Sequence, residues 1–259
     1  MSNDQKQHMI KSFKQGVRFD ERGLEDFRKL TISCKPSKTA EGSAVVKLGD
    51  TEVIAGIKMM VGTPFPDRPE DGVIMVNAEF LPLASPDFES GPPGIDSIEL
   101  SRVVDRGIRE SHAMDLKKLC IKKGEKVWIV SIDICTLNDD GNLLDAAALA
   151  ALAALKSTRF PGYDGEEVNY KELTDDKLPL AQEPIPVTVY KAGDVFFVDP
   201  TKEEQKNVDA RLTITSLGDG NLCAMQKGGE QPFTLDEISK IVDLATKRSK
   251  DLRKEIDKL

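Results

Sequence analysis

The stretch NDDGNLLDAAALAALAALKS, Asn138 to Ser157, constrains the fold more than any other part of the chain. Alanine and leucine are among the strongest helix formers, so a helix here needs no tertiary help to be specified. It has no polar face. A helix apolar all round must be covered on every side, which demands a layered domain with this helix at its centre. Asn142 stands where an N-cap is expected, and Asp145 falls at the third helical position. A carboxylate there stabilises the helix dipole by roughly 0.3–1 kcal/mol.

A glycine turn opening into a helix is also a common anion cradle. This one carries Asp139, Asp140 and Asp145, and meets no basic residue before Lys156. A phosphate about 5 Å from a single carboxylate is repelled by about 3 kcal/mol at an effective dielectric near 20. The residues therefore read as a capped core helix rather than a working phosphate site.

The material that covers the helix alternates between strands and helices. KLTISCK (29–35) reads as a strand, and GSAVVKLGDTEVIAGIKMM as a hairpin turning at Gly49-Asp50. VIMVNAEFLPLA (73–84) is nearly continuously apolar, the pattern of a strand buried on both faces. Asp96 and Glu99 have capping-box spacing ahead of a helix running to about Ala113. KVWIVSIDICTL (126–137) is a further strand. Two more hairpins follow, turning near Ala192-Gly193 and Asp219-Gly220. Thr234 and Glu237 repeat the capping-box spacing at the start of a last helix striped by Leu235, Ile238, Ile241, Val242, Ala245, Leu252 and Ile256. Its charged end, beyond Lys247, is expected to project or fray, as is the polar start from Met1 to Gln15. The reading is a mixed α/β layered domain.

Four cysteines (Cys34, Cys120, Cys135, Cys223) are scattered without a CxxC pair, and the histidines are His8 and His112 alone. This spacing predicts no structural zinc and fits a reducing, cytoplasmic setting. The N-terminus shows no secretory signal, and no apolar run is long enough to span a bilayer. His112 reads as a helix-end residue. The net charge of −8 argues against nucleic acid at first sight, but Ser101 to Lys126 holds eight basic against four acidic residues. That segment is +4 and the remainder −12. Arg102, Arg106 and Arg109 lie within about 60° of one another on a helix. By residue type alone they read as a solvated face paired with Asp105 and Glu110.

Several pieces taken in order resemble the RNase PH family. RFDERGLEDFRKL has the Arg-x-Asp-x-Arg opening with a downstream arginine, and GSAVVKLGDTEVIAGI resembles that family's first hairpin. SIELSRVVDRGIRES, NAEFLPLA and VDPTKEEQKNVDARLTIT resemble one branch of it, the non-catalytic RNase PH-like subunits of the archaeal exosome. The resemblance covers nearly the whole chain. It implies a single RNase PH-type domain (ribosomal protein S5 domain 2-like): an N-terminal arm over 1–28, a first half over 29–170, and a second half over 171–259 ending in the C-terminal helix.

The resemblance also implies a function. Active members degrade RNA from the 3′ end by phosphorolysis, and their glycine turn continues with a hydroxyl residue and an arginine that hold the attacking phosphate. Here those positions are Gly141, Asn142 and Leu143, so the site looks dismantled. Of two aspartates expected downstream for metal and leaving-group chemistry, Gln205 stands at the first position and Asp209 at the second, the latter as a structural remnant. The implied role is a subunit with no catalytic residues, metal or cofactor of its own. It pairs with a catalytic RNase PH-like subunit that holds phosphate and Mg²⁺, and three such dimers close a ring. RNA-binding cap proteins sit on one face, and single-stranded RNA threads the pore. In that setting Arg102, Arg106 and Arg109 become RNA contacts. Arg68, in the loop TPFPDRPEDG, reads equally as a pore contact or a plain loop residue. Arg18 and Arg22 are expected to fix the N-terminal segment. A lone active nuclease and a scaffold with no RNA contact are the rival readings.

Overall fold

The computed structural model describes residues 3–259. The apolar helix of the opening argument, α3 (Leu143–Ser157), lies between two sheets. One sheet runs in the order β1 (Leu30–Cys34), β2 (Gly42–Leu48), β3 (Thr51–Gly62), β6 (Lys126–Asn138), β4 (Val73–Phe80), with short β5 (Cys120–Lys122) added beside β6. All its pairings are antiparallel except β4 with β6. The second sheet has the order β10 (Val195–Val198), β9 (Ile185–Ala192), β11 (Ala210–Ser216), β12 (Leu222–Gly229), fully antiparallel. The three hairpin turns fall where the sequence places them.

Alanines make α3 thin enough for both sheets to approach it. Ala44, Val46, Val53, Ala55 and Ile57 of the first sheet and Val187 and Val189 of the second join it in one core. α2 (Ile95–Glu110) covers β4 and leans on α3 and β12. α5 (Leu235–Ile256) packs on β9 and β11. Short α4 (Lys202–Gln205) connects β10 to β11, and β7 (Arg159–Tyr163) and β8 (Val168–Lys177) form a separate ribbon.

Four expectations need correction. Asn3–Lys14 is a helix, α1, rather than a frayed start; Met9 and Phe13 are buried in a satellite core with Tyr190, Ala192 and Phe197. Met1 and Ser2, the rest of that expectation, lie outside the described residues. β4 is not buried on both faces: it is an edge strand with Met75, Asn77 and Glu79 exposed or half-exposed, because α2 covers only one side. No capping box forms at Asp96 and Glu99. The helix is capped at Gly94 without a side-chain bond, and Glu99 accepts instead from Arg211 Nη2 at 2.6 Å. α5 does not fray beyond Lys247, since Leu252 and Ile256 are buried and Arg253 donates to the carbonyls of Glu183 and Ser216. Between α3 and β9, where the sequence signals no element, lies the β7–β8 ribbon. The other capping box, Thr234 with Glu237, is present, and His112 follows the end of α2 at φ 51°.

Candidate functional site

The glycine turn at the start of α3 is where the chain's buried polar groups converge. Gly141 has φ 85°, and Asn142 follows at φ 54°, in the left-handed region. Asn142 is fully buried at the N-cap position, but its side chain makes no capping bond. Its amide turns inward instead. Nδ2 donates to Asp145 Oδ2 at 3.0 Å and Asp199 Oδ1 at 3.1 Å, and Oδ1 accepts from the Tyr190 hydroxyl at 3.2 Å. Its backbone N–H donates to Gln205 Oε1 at 2.8 Å. Every polar atom of the residue in the hydroxyl position is thus engaged within the protein, its carbonyl accepting from Ala146 N–H at 3.3 Å. Leu143 adds hydrocarbon to the adjoining cleft.

The expectation that acids alone crowd this turn is corrected by chain segments distant in sequence. Arg28 wraps it: Nη1 donates to Asp140, Nε and Nη2 bind both oxygens of Asp199, and further bonds reach the carbonyls of Asp140, Gly141 and Pro200. Asp199, fully buried, adopts φ 49° to receive them. Lys202 Nζ lies 3.1 Å from Asp139 Oδ2 and 2.9 Å from Asp87 Oδ2. Local electrostatic repulsion therefore does not close the site. The cations present are committed to acids and carbonyls of the same chain, and so are the turn's own donors: Asp140 N–H goes to Thr51 Oγ1 and Gly141 N–H to Asp139 Oδ1.

Asp145 is the acid that stands apart. It faces the second sheet, accepting from Thr188 N–H at 3.1 Å and Thr188 Oγ1 at 2.7 Å. Complete burial pushes its pKa up to about 7 against the pull of these bonds and of Asn142, with Asp199 adding to the rise. Burial likewise raises Tyr190 well above a free phenol. A carboxyl whose pKa is raised by folding binds its proton more tightly in the native state. Its contribution is greatest below the unfolded value near 4, falls as pH rises, and levels off above about 7. The stability difference between the wild-type chain and Asp145→Asn, followed by urea unfolding from pH 4 to 8, should therefore shift steadily against the wild type up to pH 7 and then stay flat. A pH-independent difference would show that Asp145 is ionised throughout.

A cleft of about 270 Å³ opens beside the turn, with Gly141, Leu143, Gln205, Lys206, Glu99 and Arg211 among its walls. The structure brings Gln205 to Gly141 and Asn142 but not Asp209. Asp209 holds α1 to the second sheet, accepting from Lys6 Nζ at 2.5 Å and Gly193 N–H at 2.7 Å. Among the described residues no group of three His, Cys, Asp or Glu side chains is placed to hold a metal ion.

On α2, Arg102 and Arg106 are exposed. Arg106 donates to Gln226 Oε1 at 3.0 Å. Arg109 is half-buried, with Nε and Nη2 on Asp105 and Nη2 also on the Ile74 carbonyl. Its raised pKa reflects chiefly the bond to Asp105. Arg68 is 60% exposed in its loop, 4.0 Å from Asp67. Arg18 is fully buried against Glu204 and Arg22 bonds Asp20 and Asp199, so both fix the N-terminal segment. Sequence reasoning missed the roles of Arg28, Lys202, Thr188 and Asp199. The readable signals were slight: an arginine closing the N-terminal motif, and an aspartate directly before Pro200.

Residues 26–161 match the 3′ exoribonuclease family (RNase PH), domain 1, and residues 182–248 match its domain 2. The exosome complex component Rrp42 of Archaeoglobus fulgidus is 49% identical over 254 residues, covering 97% of this chain and 95% of the relative. That of Thermococcus kodakarensis is 45% identical over 259 residues, covering 99% and 95%. A chain in the solved A. fulgidus exosome with RNA bound to the active site superposes with a TM-score of 0.90 at 47% identity, covering 98% of both chains. By its fold and by both halves of its sequence, the chain belongs to the RNase PH family of 3′ exoribonucleases.

Proposed function

We propose that this chain is a non-catalytic subunit of a phosphorolytic exosome ring that degrades RNA from the 3′ end. Support for the inert half of that reading comes from one observation: the residue in the hydroxyl position is satisfied from inside. Asn142 is spent on Asp145, Asp199, Tyr190 and Gln205, and Leu143 offers no charge where active relatives are expected to present a guanidinium. Phosphate at a helix start is held most firmly where a charged donor completes the cradle. The chain pairs with a catalytic RNase PH-like subunit, which holds phosphate and Mg²⁺, and three such dimers form the ring. RNA-binding cap proteins occupy one face, and the assembly works in the cytoplasm. Among the described residues no helix is long and apolar enough to cross a membrane.

Exposed guanidiniums on one stripe of a helix suit the backbone of single-stranded RNA. Arg102 and Arg106 are the more available pair; Arg109 reaches RNA only by leaving Asp105, and Arg68 stands exposed in its own loop as a further contact. The purified chain, given RNA, inorganic phosphate and Mg²⁺, should release no nucleoside diphosphate, and adding the catalytic relative should start release. Release by the single chain would identify it as an active nuclease. In the reconstituted ring, Arg102→Ala with Arg106→Ala should weaken RNA binding and flatten its salt dependence by about 0.7 per lost contact. An unchanged slope would make the chain a scaffold.

A further inference from the structure

The segment between β4 and α2 lies over the glycine turn, and Lys202 holds it there. This lysine opens α4 and sends its ammonium out of the second half of the chain into a nest of oxygens. Ser85 Oγ, Asp87 Oδ2 at 2.9 Å and Asp139 Oδ2 at 3.1 Å surround Nζ, which also sits 5.7 Å from the centre of the Phe88 ring. Phe88 in turn stacks on Phe80 at 4.6 Å. Lys206 supports the same carboxylate, 3.6 Å from Asp87. Burial works against the Lys202 charge, but its bonds to Asp87 and Asp139 outweigh that and raise its pKa. Three separated pieces of chain therefore meet on one ammonium: the loop at 85–88, the turn at Asp139, and α4.

We propose that Lys202 is a built-in tether at the edge of the glycine turn, an ammonium that fixes the 85–91 segment as a bound ligand would. By fixing this segment it sets one wall of a groove of about 580 Å³ between the segment and the start of α2, lined by Phe80, Leu81, Phe88, Gly91 and Ile95. This inference stands whether or not the chain is catalytically silent, because it concerns the chain's own loop.

Hydrogen exchange on the full chain tests it. The amides of Asp87 and Phe88 are bonded to Ser85, so they report whether the segment is held. In Lys202→Met these two amides should exchange about tenfold faster or more, the loss expected for a charge-assisted bond, while amides of β9 and β11 keep their protection. In Lys202→Ala, n-propylammonium, which restores the missing carbons and charge, should return the protection, and tetramethylammonium at equal ionic strength should not. Should Lys202→Met fail to fold, Asp87→Asn cuts the same link at its exposed end and should speed Phe88 exchange likewise. Native-like exchange at Phe88 in a folded variant, or rescue by tetramethylammonium as well, would overturn the proposal.

Discussion

Arg18→Met should destabilise the protein by about 3–5 kcal/mol, a large share of the roughly 5–15 kcal/mol that holds a domain together. The guanidinium is fully buried and bonds both oxygens of Glu204, at 3.1 and 2.5 Å, together with the carbonyls of Val198 and Asp199. Methionine fills similar volume but leaves the Glu204 carboxylate buried without its cation and takes a donor from the Val198 carbonyl, while the Asp199 carbonyl keeps Arg22 Nη2 at 3.1 Å. Glu204 still accepts from Thr201 N–H in the capping box of α4, so it does not simply swing away. Adding Glu204→Gln removes the stranded charge and keeps an acceptor for Thr201. The double variant should therefore recover part of the loss. Urea midpoints for the single and double variants measure both numbers. A cost below about 1 kcal/mol for Arg18→Met would mean that water reaches the pair.

Gly141→Ala should cost about 2–6 kcal/mol, from left-handed backbone strain and from overpacking, each worth about 1–3. A Cβ at Gly141 would stand 2.5 Å from the Pro200 carbonyl oxygen, 2.7 Å from Thr201 C and 2.8 Å from Lys202 N, all backbone atoms. Those atoms cannot step aside without moving Asp199 and α4, which carry the bonds to Arg28 and Lys202. Gly124→Ala is the control. Its φ is 73° but nothing lies within 4 Å of the added carbon, so only the strain remains, about 1–2 kcal/mol. Equal melting temperatures for the two variants would show that the close approach of α4 to the turn is not maintained in solution.

The sequence made the layered architecture readable because its signals were local. Gly49-Asp50 sits between two β-branched runs, Thr234 and Glu237 are three residues apart, and α3 declares its burial by having no polar side. The failures share a cause: the deciding partner is distant in the chain. Glu99 has capping-box spacing, yet Arg211 takes it. α1 looks polar, yet two side chains, Met9 and Phe13, are enough to dock it on the second sheet. At the candidate site, counting charges between Asn138 and Ser157 described an acidic turn, while Arg28 and Lys202 arrive from 112 and 63 residues away to neutralise it. Gly141, Asn142 and Leu143 were found by resemblance, Gln205 came with them in space, and Asp209 did not.

The position of α3 has a consequence for how the chain comes apart. The family's two domain descriptions divide the sequence between residues 161 and 182, yet buried side chains from both sides of that boundary join one core around α3. Each sheet uses the same helix as its floor. Neither half can melt alone without exposing the alanine face that the other half needs, so both should unfold in one transition.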